Sequence, residues 1–142
     1  VHVATCEHFL MDEIFRNNQS SLKPFNVVWR AKDAFPQTVK PEDLVIWFGY
    51  IGLSTPYEDY GKFLRATKAR FIASYVPDLQ NPGNNAPEAI SVLEQGWKLG
   101  DAEVAIPFAP GRMAPVSGIN QGLLYRMLDD AVAKKLAKMK KK

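Results

Sequence analysis

The chain has little of the chemistry that announces a function outright. Its 142 residues hold one cysteine, Cys6, which excludes an intramolecular disulfide and a cysteine-rich metal site and fits a reducing, cytoplasmic compartment. The two histidines, His2 and His8, have poor spacing for a metal and no supporting ligands, so neither a metal nor a cofactor is expected. No apolar run approaches the roughly 20 residues that cross a bilayer, so no membrane partner is expected either. Low-complexity sequence is confined to the extreme C-terminus. With 46% hydrophobic and 23% charged residues, the body has the material to fold around a core. A Walker-loop lysine, a GxGxxG fingerprint and a GxSxG nucleophile elbow are all missing. The first residue is Val1 rather than Met, which points to processing or to a missing leading segment.

The net charge of +3 misleads, because Lys134, Lys135, Lys138, Lys140, Lys141 and Lys142 sit together at one end. Without them the rest of the chain is mildly acidic. A basic tail at a helix terminus complements the helix dipole and is not the footprint of a nucleic-acid partner.

Along the chain, Val1 to Thr5 reads as a strand, and Leu10, Met11, Ile14 and Phe15 as a helical stripe closed by the turn residues Asn17 to Ser21. Phe25 to Ala31 is a second strand. Leu44 to Phe48 is apolar throughout, as expected of a central strand covered on both faces. Pro56, Glu58 and Asp59 open a helix whose buried side is Tyr57, Tyr60, Phe63, Leu64 and Thr67. Arg70 to Val76 is a fourth strand, Asp78 to Ala86 a loop, Pro87 to Gln95 a short helix and Val104 to Pro107 a fifth strand. Pro107 to Pro115 is irregular by composition. In the last helix Ile119, Leu123, Leu124, Met127, Leu128, Ala131, Val132 and Leu136 form an apolar stripe, with Ser117 as its N-cap.

Strands alternating with helices define the α/β class. The pattern predicts a three-layer αβα sandwich around a mainly parallel five-stranded sheet, in a flavodoxin-like or Rossmann-like order. It forms one domain over residues 1–137 followed by the basic tail 138–142.

Such sheets bind ligands beyond the carboxyl ends of their strands, where the strand order reverses. Two loops are expected to meet there, Thr5 to His8 and Gly49 to Thr55, with Ser117 to Gln121 as a third wall. Gly49 and Gly52, with Ser54 and Thr55, form either an oxyanion cradle or an ordinary strand-to-helix turn capped by one of the hydroxyls. Glu7 and His8 are either a proton-transfer pair or a helix-opening acid beside an exposed imidazole. Cys6 reads as an activated thiol or as packing. Tyr50 and Trp47 read as ring-stacking residues or as core, and Arg112 as a phosphate clamp or a solvated loop residue.

Three stretches carry a family resemblance: DLVIWFGYIGLSTPYEDYGKFLRATKARFIAS (Asp43 to Ser74), GDAEVAIPF with APVSGINQGLLYRMLDDAV (Gly100 to Val132), and the opening HVATCEHFLMDEIF (His2 to Phe15). Together they resemble the SIS (sugar isomerase) domain, in particular its small stand-alone phosphosugar-binding members. Gly49, Tyr50, Ile51 and Gly52 stand where that family has S-x-S-G, so the glycine matches and both serines are absent. The resemblance implies a phosphorylated sugar or similar small anion as ligand. It would be held by Thr5, Cys6, Gly49, Tyr50, Gly52, Ser54, Thr55, Ser117 and Gly118, with Glu7 and His8 as the catalytic pair of a sugar-phosphate isomerase. It also implies a homodimer. The missing serines leave an alternative, a non-catalytic SIS-like domain acting in association or regulation. A flavodoxin-like nucleotide or flavin binder is a third reading, for which no fingerprint is present.

Overall fold

The computed structural model describes residues 1–5, 26–28, 39–53, 60–96, 102–105, 107 and 112–140. Strands β1 (His2–Thr5), β2 (Asn26–Val28), β3 (Leu44–Ile51), β4 (Arg70–Val76) and β5 (Ser91–Glu94) pair in the order β2-β1-β3-β4-β5. Every pairing in this sheet is parallel. β3 lies at its centre, and the unbroken apolar run from Val45 to Phe48 is buried on both sides. Because side chains alternate along a strand, Val45 and Trp47 go to one face and Ile46 and Phe48 to the other.

On the first face Ala4, Val45, Trp47, Phe71, Ala73 and Tyr75 pack with Tyr60 and Leu64 of helix α1 (Tyr60–Thr67). The α1 residues Tyr60, Gly61, Leu64 and Thr67 are buried at a spacing of one, three and three, the mark of a single helical stripe. The helix stops where Lys68 takes a left-handed φ of 57° and the Thr67 hydroxyl turns back to donate to the Leu64 carbonyl at 2.7 Å. On the second face Val3, Ile46 and Phe48 meet Tyr125 of helix α2 (Val116–Met139), with Leu124 and Leu128 alongside.

Three sequence expectations are corrected. Pro87 to Gln95 holds no α-helix; Ser91–Glu94 is strand β5, paired to β4 through Ile72↔Ser91 to Tyr75↔Glu94. The segment around Val104 is not the fifth member of the parallel sheet. Ala102–Ala105 (β6) pairs antiparallel with Arg112–Pro115 (β7) in a separate two-stranded sheet, so part of the stretch expected to be irregular is strand. Both errors have one origin: short runs without clear periodicity are assigned by the strand they find to pair with, which composition does not report. The third correction concerns α2. It begins at Val116, which puts Ser117 inside the first turn rather than at the cap. Ile119, Leu123 and Met127 are 55%, 57% and 58% exposed. The side facing the sheet carries Ser117, Gly118, Gln121 and Gly122, small and amide residues that let the helix approach closely, together with the core aromatic Tyr125.

At the amino end of the sheet, His2 is buried and its Nε2 lies 2.9 Å from Asp43 Oδ2. The same oxygen accepts the Lys40 N–H at 2.8 Å. The Lys40 N–H, and then His2, hold the Asp43 carboxyl below the ordinary carboxylate range. This contact pins the start of β1 to the turn before β3. It lies at the opposite end of the strand from Thr5.

The connection after β4 is built around Asp78. Its Oδ1 accepts the N–H groups of Gln80 (3.0 Å) and Asn81 (2.8 Å), and its Oδ2 accepts the Asn84 side-chain amide (2.8 Å). Asn85 closes the loop, accepting the Asp78 N–H and donating to the Asp78 carbonyl. These bonds favour the ionised carboxyl, the Asn84 amide most and the Asn81 N–H next, and lower its pKa. A group whose folded pKa is depressed stabilises the fold above its unfolded value, near 3.9, and loses that contribution as pH falls through the folded value. Asp78→Ala is therefore expected to cost roughly 2 kcal/mol at neutral pH. Measured by urea denaturation, the difference from the parent should shrink as the pH is lowered from about 5 towards 3. A pH-independent difference would mean that Asp78 acts through packing alone.

Candidate functional site at the carboxyl ends of β1 and β3

β1 and β3 are neighbours in the sheet, and the chain leaves them in opposite directions, to β2 on one side and to β4 and β5 on the other. Their carboxyl ends mark the point at which the strand order reverses. The geometry there is set by an irregularity in β3. Its register with β4 runs evenly to Phe48↔Ser74 and resumes at Ile51↔Val76, so three steps on β3 match two on β4. Such a bulge takes a peptide out of the ladder and re-aims it.

The re-aimed group is the Gly49 carbonyl. It accepts the Gln121 side-chain amide of α2 at 3.1 Å and the Gln95 side-chain amide, just past β5, also at 3.1 Å. Because Gln121 Nε2 faces a carbonyl, its Oε1 is turned towards β1 and accepts the Thr5 hydroxyl at 3.0 Å. Gln95 Nε2 also lies 3.3 Å from Ser74 Oγ, whose hydroxyl donates to the Leu93 carbonyl at 3.0 Å. A continuous neutral network thus runs from β1 through α2 and the β3 bulge to β4 and β5. Thr5, Ser74, Gln121 and Ser117 are all at most 1% exposed.

Of the residues singled out in the sequence, Thr5, Gly49, Ser117 and Gly118 are brought to this end of the sheet. Thr5 and Gly49 are linked through Gln121, four residues along α2 from Ser117. Ser117 and Gly118 are buried in the first turn, and Tyr50 is half-buried. Trp47 is wholly buried core, its ring 4.4 Å from that of Tyr60. Cys6, Glu7, His8, Ser54 and Thr55 lie outside the described residues. Arg112 falls in β7 rather than in a loop.

Gly52 has φ 58°, a conformation that glycine adopts without a steric penalty. Its N–H donates to the Val76 carbonyl at 3.0 Å, and the Leu53 N–H donates to the Asn84 carbonyl at 2.8 Å. These two donors tie the turn after β3 to β4 and to the Pro82–Asn84 turn, and are directed away from a cradle. At Gly49 a Cβ would overlap the Trp47 indole and stand 2.7 Å from the Gly52 carbonyl oxygen. The room that a side chain would need is filled by Trp47, whose Nε1–H points to that same oxygen at 3.4 Å.

Gln121 closes the expected third wall, Ser117 to Gln121, but its amide link to the Gly49 carbonyl is not foreseen in the sequence, and Gln95 is not foreseen at all. For Gln121 a signal exists, since its spacing of four from Ser117 places both on one helix face; for Gln95 there is none, because its segment was read as a helix. Among the described residues no cluster of His, Cys, Asp and Glu is placed to hold a metal, and no helix is long and apolar enough to cross a membrane. No known protein family, curated protein or solved structure matches the chain.

Proposed function

We propose that the chain is a SIS-like α/β domain that binds a phosphorylated sugar or similar small anion at the crevice between the carboxyl ends of β1 and β3. The observation that carries this reading is the convergence of β1, the β3 bulge and the amino end of α2 on the point where strand order reverses. The strand order β2-β1-β3-β4-β5 matches the flavodoxin-like order, and with α1 against one face and α2 against the other it supports the same assignment. The loops after β1 and β3 would bring the ligand contacts, and Glu7 and His8 would be the proton-transfer pair of an isomerisation. A single cysteine fits the cytoplasm as the place of action.

The decisive measurement is a thermal-shift panel of pentose, hexose and heptose phosphates. At 100 times the dissociation constant, a true ligand stabilises the fold by roughly 2.7 kcal/mol and raises the melting temperature accordingly. No shift with any of them would overturn the reading.

A second reading, a non-catalytic SIS-like domain acting by association, is favoured by a specific observation. The Gly52 and Leu53 N–H groups and the Gly49 carbonyl are committed to the protein itself, and Trp47 fills the space a hydroxyl side chain would need. On this reading the panel is silent and the protein sediments as a dimer.

A further inference from the structure

A carbonyl oxygen has two lone pairs, and in the sheet interior Gly49 presents both to side-chain amides from elements far apart in sequence, Gln95 after β5 and Gln121 in α2. From Gln121 the network continues to β1 through Thr5, and from Gln95 it continues to β4 and β5 through Ser74.

We propose that the Gly49 carbonyl is a two-point latch, through which the amino end of α2 and the carboxyl end of β5 are conformationally coupled by way of the β3 bulge. The physical basis is an asymmetry in hydrogen-bond energetics. While one amide remains, the carbonyl keeps a donor and the loss of the other is tolerable. When both are gone, a buried carbonyl is left unsatisfied, and its full desolvation penalty is incurred at once. Each glutamine therefore determines how much the other matters, so release of α2 from the bulge tightens the dependence on β5, and the reverse. A ligand or partner that moves either element is felt by the other. The latch does not depend on what the crevice binds, since it is defined by contacts within the protein.

A double-mutant cycle with Gln95→Leu and Gln121→Leu tests it, read as the folded-to-unfolded ratio from urea denaturation. The latch requires the double variant to lose more than the product of the two single losses, by roughly tenfold. A double variant that equals that product, or falls short of it, overturns the proposal. If the leucine pair does not fold, Gln95→Asn and Gln121→Asn give the same cycle, because each shorter amide falls about one methylene short of the carbonyl while staying polar. The same two outcomes apply. Silence in the sugar-phosphate panel would remove the anion-binding reading and leave the cycle unaffected, so the two ideas fail separately.

Discussion

Trp47→Ala is expected to lower the free energy of unfolding by about 3–5 kcal/mol, the range for truncating a large buried aromatic side chain. Trp47 has no exposed surface and belongs to the core between the sheet and α1. Its ring lies 4.4 Å from that of Tyr60 at an interplanar angle of 34°, so the loss includes an aromatic pair as well as transfer and cavity terms. Its Nε1–H also points to the Gly52 carbonyl, at the turn that leads from β3 towards α1. Losses of this size are a large part of the stability of a small domain. Urea denaturation followed by tyrosine fluorescence or circular dichroism measures the effect. A cost below 1 kcal/mol would show that the site collapses around the cavity and that Trp47 is not the keystone of this face.

Gly49→Ser, which puts a hydroxyl side chain at the β3 bulge, is expected to destabilise the fold by about 1–3 kcal/mol, as other overpacked sites do. The added Cβ has only two ways to go, into the Trp47 indole or against the Gly52 carbonyl, and backbone is the harder of the two to move. Either displacement disturbs the bulge that offers the Gly49 carbonyl to Gln95 and Gln121. The variant should therefore lose stability without gaining affinity for inorganic phosphate in a thermal-shift titration. If it proved as stable as the parent and bound phosphate, Trp47 would have to leave its place readily, and the packing around Gly49 would not be what keeps a side chain out.

How much of this was legible in the sequence depended on length and on the range of the contacts. β3 was plain because Leu44 to Phe48 is too apolar to sit anywhere but in the middle of a covered sheet, and β1 and β4 followed from similar β-branched and aromatic runs. α1 was legible from its one buried stripe. α2 was legible as a helix and misleading as a surface, because its periodicity is carried by more apolar residues than the sheet can cover. Ile119, Leu123 and Met127 face outward while Gln121 faces in. The convergence of Thr5, Gly49 and the start of α2 was expected from topology. The atoms that join them were not, because a glutamine amide reaching a bulge carbonyl leaves no pattern in the chain. β5 was misjudged because a four-residue strand takes its identity from a partner elsewhere, and the strand around Val104 was assigned to the wrong sheet because its partner β7 lies in a stretch that composition marks as irregular.

The parallel sheet also dictates the order of events by which this molecule comes into being. His2 must find Asn26 on one side and Val45 on the other, Val45 must find Phe71, and Ile72 must find Ser91, so no two neighbouring strands can zip from a shared tight turn. Among the described strand pairs only β6 with β7 joins residues close in sequence. Loop closure has to precede each of these parallel contacts, and the β1–β3 pair, His2 with Val45, spans the widest gap in sequence among them. Until that pair closes, the apolar face of β3 stands open to other chains as well as to its own.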